Sequence, residues 1–436
     1  MRKREDRRLR PRRNGALSLI ALLLLAVIMV VMGCIMGDFS AVPMSMVFLL
    51  TSIAVLCTLR GYSIEERIHV YSKGAGNQDL LLMVWIFVLA GAFAKSAQAM
   101  GAINAIVDLT LQCLPESILL AGLFLAACVV SLCIGTSVGT IVAIVPVATE
   151  LASRTGMLLP LMVAAVVGGS FFGDNLSFIS DTTIAATRTQ GCSMKDKFKV
   201  NFHIVFPAAL VCFVIYVFTG IHSSFADVMI PDSIHFIRVL PYVVVLLMAL
   251  SGCNVLLVLC LGILLTGIVG VFEGTFTISS WIKAMSDGIL GMGELILVSM
   301  MAGGLLAVVR KGGGITYLVR SITKHVRTRK GAECSISALV ALANCFTANN
   351  TVAILSVSSI AKNLSERYKV DRRRAASLLD IFSCVMQGVL PYGAQLLIAG
   401  GLAAISPLDI IPFLYYPFLL SIIALVSIFF TREKDS

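Results

Sequence analysis

Apolar runs of about 20 residues recur along almost the whole chain, from Ala16 to Phe430. A helix rises about 1.5 Å per residue, so a run of that length spans the roughly 30 Å core of a bilayer. Lipid offers the backbone no hydrogen-bond partners, which leaves membrane helices or a closed barrel as the possible folds. The alternating ten-residue strands of a barrel are missing. Only 13% of the residues are charged, against roughly a quarter in a soluble domain. The sequence predicts an all-α polytopic membrane protein.

Ten full spans can be placed, at about 16–36, 43–59, 79–99, 158–187, 200–220, 236–250, 253–272, 286–309, 375–399 and 410–430. Two further apolar regions, 117–152 and 331–362, are too long for one span. Each is broken by a polar tip, the first at Gly135-Thr136-Ser137-Val138-Gly139-Thr140 and the second at Thr347-Ala348-Asn349-Asn350-Thr351. Read as re-entrant hairpins, they return to the side they entered. Thirty of the 34 Lys and Arg residues then fall in cytoplasmic segments, as the positive-inside rule requires. Eight of them precede Gly15 and read as a cytoplasmic anchor, which argues against a nucleic-acid partner despite the net charge of +10. The run at 16–36 is too long for a signal-peptide core and is read as a retained span. Both termini are expected in the cytoplasm.

Landmarks repeat about 211 residues apart. Thr136 and Thr140 match Thr347 and Thr351, and the spans of the first half match those of the second. The expected organisation is a basic N-terminus at 1–15, a first repeat at 16–220 and an external linker at 221–235. A second repeat follows at 236–430. Five spans per half is an odd number, so the halves run in opposite senses. Inverted repeats with paired broken elements are the sequence mark of a secondary transporter.

The chemistry gathers at the breaks. Asp174 and Asp181 lie inside the span at 158–187, where a carboxylate costs roughly 2.5–3.5 kcal/mol even on the lenient insertion scale. With Ser177 they fall at i, i+3 and i+7, one face of an unbroken helix, though Gly173, Ser180, Thr182 and Thr183 favour local unwinding. A carboxyl out of water holds its proton more tightly, and a bound cation expels it. One site can therefore hold a proton or a sodium ion in turn. Thr136, Ser137 and Thr140 at the first tip supply oxygen ligands suited to a hard cation, as does Thr182. Asn349, Asn350 and Thr351 at the second tip do the same, with Asp380, Gln387 and Tyr392 in the matching broken span. Small polar residues also let helices pack closely, but two tips in matching positions favour a binding site. At a spacing of 211, Asp174 and Asp181 meet Val385 and Tyr392, so the half-sites are unequal. Glu294, Asp287 and Lys95 are second-rank candidates, and Lys95 also suits snorkelling to an interface.

Enzyme signals are lacking. Gly312-Gly313-Gly314 is no phosphate loop, the five histidines are scattered, and the twelve cysteines show no metal or disulfide spacing. No cofactor is expected; sodium and protons are the transported species.

The chain resembles the NhaC branch of bacterial sodium/proton antiporters. The likeness rests on Gly173-Asp174, Ser177, Ser180-Asp181-Thr182-Thr183 and the tip Gly135-Thr136-Ser137. It continues in Asn350-Thr351, Asp380 and Leu390-Pro391-Tyr392. Three positions depart from the family pattern. Phe178 stands in a stretch that usually holds Pro, Asn175 replaces a common Lys, and Tyr392 replaces Trp. The resemblance implies a homodimer in the cytoplasmic membrane, with a scaffold and a mobile part carrying both hairpins. It is compatible with sodium/proton exchange or with sodium- or proton-coupled transport of an amino acid or organic carboxylate. A non-transporting membrane receptor is the reading from another class, and the lack of a sizeable soluble domain speaks against it.

Overall fold

The computed structural model describes residues 14–36, 42–58, 62–177, 180–221, 236–251, 253–324 and 326–430. Most of the basic N-terminus, most of the 221–235 linker, and Phe178 lie outside the described residues. Among the described residues the regular elements are all helices, without a strand.

The first half runs α1 (Asn14–Met36), α2 (Met44–Thr58), α3 (Ile64–Ala75), α4 (Gln78–Met100), α5 (Ala102–Cys113), α6 (Leu119–Ile134), α7 (Ser137–Thr155), α8 (Leu159–Leu176), α9 (Asp181–Gln190) and α10 (Met194–Ile221). The second runs α11 (Phe236–Leu250), α12 (Val255–Phe272), α13 (Ile278–Gly291), α14 (Gly293–Lys311), α15 (Gly314–Thr323), α16 (Arg329–Thr347), α17 (Asn350–Arg367), α18 (Arg372–Val389), α19 (Ala394–Ala403), α20 (Pro407–Ile410) and α21 (Tyr415–Phe430).

Among the described residues, by length and composition, seven helical stretches can cross a membrane, or eight if the bent pair Pro407–Phe413 and Tyr415–Phe430 is one span. α1 covers the expected span at 16–36, whereas the expected spans at 43–59 and 236–250 are helices of only 15 residues, Met44–Thr58 and Phe236–Leu250. The expected span at 286–309 belongs to a longer stretch, Ile278–Lys311, with a turn at Met292.

Helix starts recur at a spacing of 213 rather than 211. Ser137 and Asn350, Leu159 and Arg372, and Asp181 and Ala394 each begin matching helices 213 residues apart. The pairing of Thr136 with Thr347 is therefore replaced by Thr136 with Asn349. The counterparts of Asp174 and Asp181 are Gln387 and Ala394, not Val385 and Tyr392. Hydroxyl residues on both sides of each tip made the two-residue slip invisible in the sequence.

Packing recurs in the same register. α6 and α7 pack on α8 as α16 and α17 pack on α18, and α7 meets α19 as α17 meets α9. α3 lies on α14 as α13 lies on α4, and glycines allow both contacts. A Cβ on Gly74 would stand 2.4 Å from the Gly303 carbonyl oxygen, and one on Gly91 would stand 2.3 Å from that of Gly288. Backbones that close bring small-residue faces together without a polar core.

Candidate ion site

Both tips are built the same way. α6 ends on Gly135 at φ 75°, and Thr136 is extended at φ −144° before α7 starts. α16 ends on Ala348 at φ 46°, and Asn349 is extended at φ −148° before α17 starts. One left-handed residue followed by one extended residue reverses the chain in two steps. Glycine does this without strain, whereas alanine carries a Cβ penalty.

The first tip closes on Asp174. The Ser137 backbone N–H donates to Asp174 Oδ1 at 2.9 Å. Ser137 is the first residue of α7, so a negative charge on Asp174 faces the positive end of that helix. The approach needs Gly173, because Ser131 of α6 fills the place of a Cβ there. Ser131 Oγ also donates to the Ser170 carbonyl, anchoring α6 along α8. Asp174 is only 4% exposed, and it belongs to none of the ion pairs among the described residues.

α8 stops at Leu176, and Ser177 is extended. The i, i+3, i+7 face expected for Asp174, Ser177 and Asp181 therefore does not form. Asp181 begins α9 and is exposed rather than buried. A carboxylate on the first residue of a helix is favoured by the helix dipole, which accounts for its tolerance there. Thr182 and Thr183 are buried, with hydroxyls 3.5 Å from the Asp174 carbonyl oxygen, and Thr182 also meets Ser180 at 3.0 Å. Thr140 is buried, and its hydroxyl returns to the Thr136 carbonyl at 3.1 Å.

The second tip closes on Gln387, whose Nε2 donates to the Ala348 carbonyl at 3.0 Å. Asn344 donates to the Ser383 carbonyl as Ser131 does to Ser170 at the matching place. Asn349 caps α17 through Val352 N–H, and Asn350 Oδ1 accepts from Thr351 N–H. Tyr392 donates to the Cys345 carbonyl at 2.7 Å. Gln395 joins the tips: Gln387 donates to its Oε1 at 2.9 Å, and its Nε2 donates to Ser137 Oγ at 3.0 Å. A buried polar chain thus runs from Asp174 to Ala348.

Asp380 stands elsewhere. Its Oδ2 pairs with Lys197 at 2.7 Å, with side chains 0% and 1% exposed, and accepts from Asn201 at 2.9 Å. Lys197 lies between the expected spans at 158–187 and 200–220, but α10 begins at Met194 and buries it. The missed signal was spacing. Lys197, Asn201, Ile204 and Ala208 share one buried face at helical intervals, continuing a pattern visible in the apolar run itself. Lys95 is exposed and donates to Gln98, and Glu294 binds Ser45, so neither joins the site.

A cavity of about 770 Å³ reaches Thr347, Ala348 and Asn349 of the second tip, with Tyr392 and Ala394 beside it. Its charged lining is basic, Lys73, Arg310 and Lys311, with His69 beside them. Among the described residues, no group of three or more His, Cys, Asp or Glu side chains gathers to hold a metal ion. Oxygen from hydroxyls, amides and backbone dominates instead.

The Na+/H+ antiporter family matches residues 14–221 and 232–431. The malate-2H(+)/Na(+)-lactate antiporter of Bacillus subtilis (strain 168) is 22% identical over 398 residues, covering 84% of this chain and 84% of that protein. The Na(+)/H(+) antiporter NhaC of the same organism is 23% identical over 387 residues, 80% of this chain and 83% of that one. The solved YdaH transporter of Alcanivorax borkumensis has a TM-score of 0.46 at 11% identity, over 89% of this chain and 98% of that chain.

Proposed function

We propose, for a chain that belongs to the Na+/H+ antiporter family, that Asp174 is the carboxyl on which sodium and protons exchange across the membrane. The carrying observation is its setting: buried, outside every ion pair among the described residues, and held against the N-terminus of a hairpin helix. A proton and a sodium ion compete for such a group, because each weakens the hold on the other. Ser137, Thr136, Thr140, Ser177 and Thr182 would complete the ion's oxygen shell. Asp181, exposed at the head of α9, would attract the cation rather than bind it alone. Asn349, Asn350, Thr351, Gln387 and Tyr392 would form the path through the second half, with Asp380 held aside by Lys197.

The matching packing pairs support ten spans and two re-entrant hairpins in a five-plus-five inverted repeat. With it go the bacterial cytoplasmic membrane, cytoplasmic termini and a homodimer. Asp174→Asn keeps the shape and an acceptor for Ser137 N–H but cannot carry a proton. In everted vesicles it should insert normally and show no sodium-driven proton flux; normal flux would refute the assignment.

A second reading has its own support. The basic cavity at the second tip suits a small organic carboxylate better than a bare cation. In proteoliposomes, proton flux driven by sodium with no organic solute favours exchange of ions alone. Strict dependence on an added carboxylate favours the second reading.

A further inference from the structure

The ammonium of Lys197 has three donors and three close acceptors at the first break. These are the Asn175 carbonyl at 2.9 Å, Thr183 Oγ1 at 2.7 Å and Asp380 Oδ2 at 2.7 Å. Asn175 belongs to the last turn of α8, Thr183 to the first turn of α9, and Asp380 to α18 of the other half. Asn201 donates to the Asn175 carbonyl at 2.8 Å and to Asp380 Oδ2 at 2.9 Å, fixing two of the three acceptors. More acceptors stand on these side chains than the neighbouring donors satisfy: Asp380 Oδ1 and Asn201 Oδ1 are buried without a partner among the described residues. A shell so rich in oxygen and so poor in donors is built around a positive charge.

We propose that this shell is a second cation site, occupied permanently by the side chain of Lys197 as a tethered cation. Lys197 is then a positioning residue. It ties the two ends of the first break together and cancels the charge of Asp380, leaving Asp174 as the buried carboxyl free to exchange. The site would accept a small primary ammonium ion in place of the lysine tail. Its stability test is independent of the proposed sodium/proton exchange, and its flux test rests on that reading.

Lys197→Ala removes three methylenes and the amine, a space shaped like propylammonium. The purified variant should be less heat-stable than the parent and should regain stability in propylammonium chloride but not in choline chloride. The parent should respond to neither. Sodium-driven proton flux should fall by about tenfold or more and return with propylammonium, which a purely structural contact would not produce. Lys197→Ala with Asp380→Asn removes both charges and should recover much of the stability while losing the propylammonium response. If Lys197→Ala cannot be purified, the neutral double variant must be; failure of both overturns the proposal. Equal stabilisation of parent and variant by propylammonium, or none of the variant, also overturns it. Loss of flux in Asp174→Asn is read separately, so a failed exchange assignment is not confused with a failed lysine site.

Discussion

Gly173→Ala should separate the first hairpin from Asp174 without altering the carboxyl itself. A Cβ on Gly173 would lie 2.2 Å from Ser131 Oγ and 2.3 Å from the Ser131 carbonyl carbon. Ordinary contact begins at 3.4 Å, so α6 must retreat by about 1 Å. Ser131 is in the last turn of α6, and the tip follows it directly. The 2.9 Å bond from Ser137 N–H to Asp174 would then open toward 4 Å, beyond hydrogen bonding. Losing a hydrogen bond to a charged group costs about 1.5–3 kcal/mol, or about 10- to 150-fold in an equilibrium constant. Half-maximal exchange in everted vesicles should therefore need at least tenfold more sodium, roughly, at equal levels of inserted protein. Adding Ser131→Gly should not rescue it, because the backbone carbon of residue 131 remains in the way. A variant with the parent's sodium dependence, or full rescue by Ser131→Gly, refutes the reasoning.

Other expectations follow from neighbouring geometry. Asp181→Asn should weaken sodium dependence yet retain exchange, since Asp181 is exposed; complete loss would return it to the ion's own shell. Gly135→Ala should cost about 1–2 kcal/mol of left-handed strain, and Ala348→Gly should relieve a comparable strain at the other tip, both read by thermal unfolding. Asp371→Ala removes a side-chain cap on Arg373 N–H and should cost about 1 kcal/mol. The Arg373 guanidinium holds the Asp371 carboxyl below the ordinary carboxylate range. Its stabilisation is complete above the unfolded value near 3.9 and fades as pH falls through the lower folded value. The cost should thus be equal at neutral and mildly alkaline pH and shrink only in acid.

The helical fold and both tips were legible because breaks in apolar runs stand out against lipid-compatible sequence. Thr136 and Asn349 fall at the interruptions themselves, and Gln387 in the last turn before one. The burial of Asp174 was legible for the same reason, as a charge where hydrocarbon disfavours one. Asp181 misled because its exposure depends on where α8 stops, and unwinding at Ser177 is a tertiary choice rather than a pattern in residue types. Lys197 was hidden by its neighbours. Among Lys195 and Lys199 it reads as one more cytoplasmic charge, and only the helix starting at Met194 turns it inward. Gln395 has no signal of its own, since its contacts with Ser137 and Gln387 join segments 258 and 8 residues away.

The matched halves solve one problem with opposite polarity. At the first tip a side chain accepts from the backbone, Ser137 N–H to Asp174; at the second a side chain donates, Gln387 to the Ala348 carbonyl. The second position cannot take a carboxylate on these terms. Gln387→Glu would turn a charged oxygen toward two acceptors, the Ala348 carbonyl and Gln395 Oε1, where Nε2 now donates to both. Gln387→Met would leave those acceptors unpaired without adding repulsion, a loss of about 1–3 kcal/mol. The glutamate variant should be the less stable of the two at neutral pH and should not restore exchange to Asp174→Asn. If it is as stable as the parent, and restores exchange to Asp174→Asn, the unequal halves are interchangeable, and the assignment of proton-carrying chemistry to the first half alone fails.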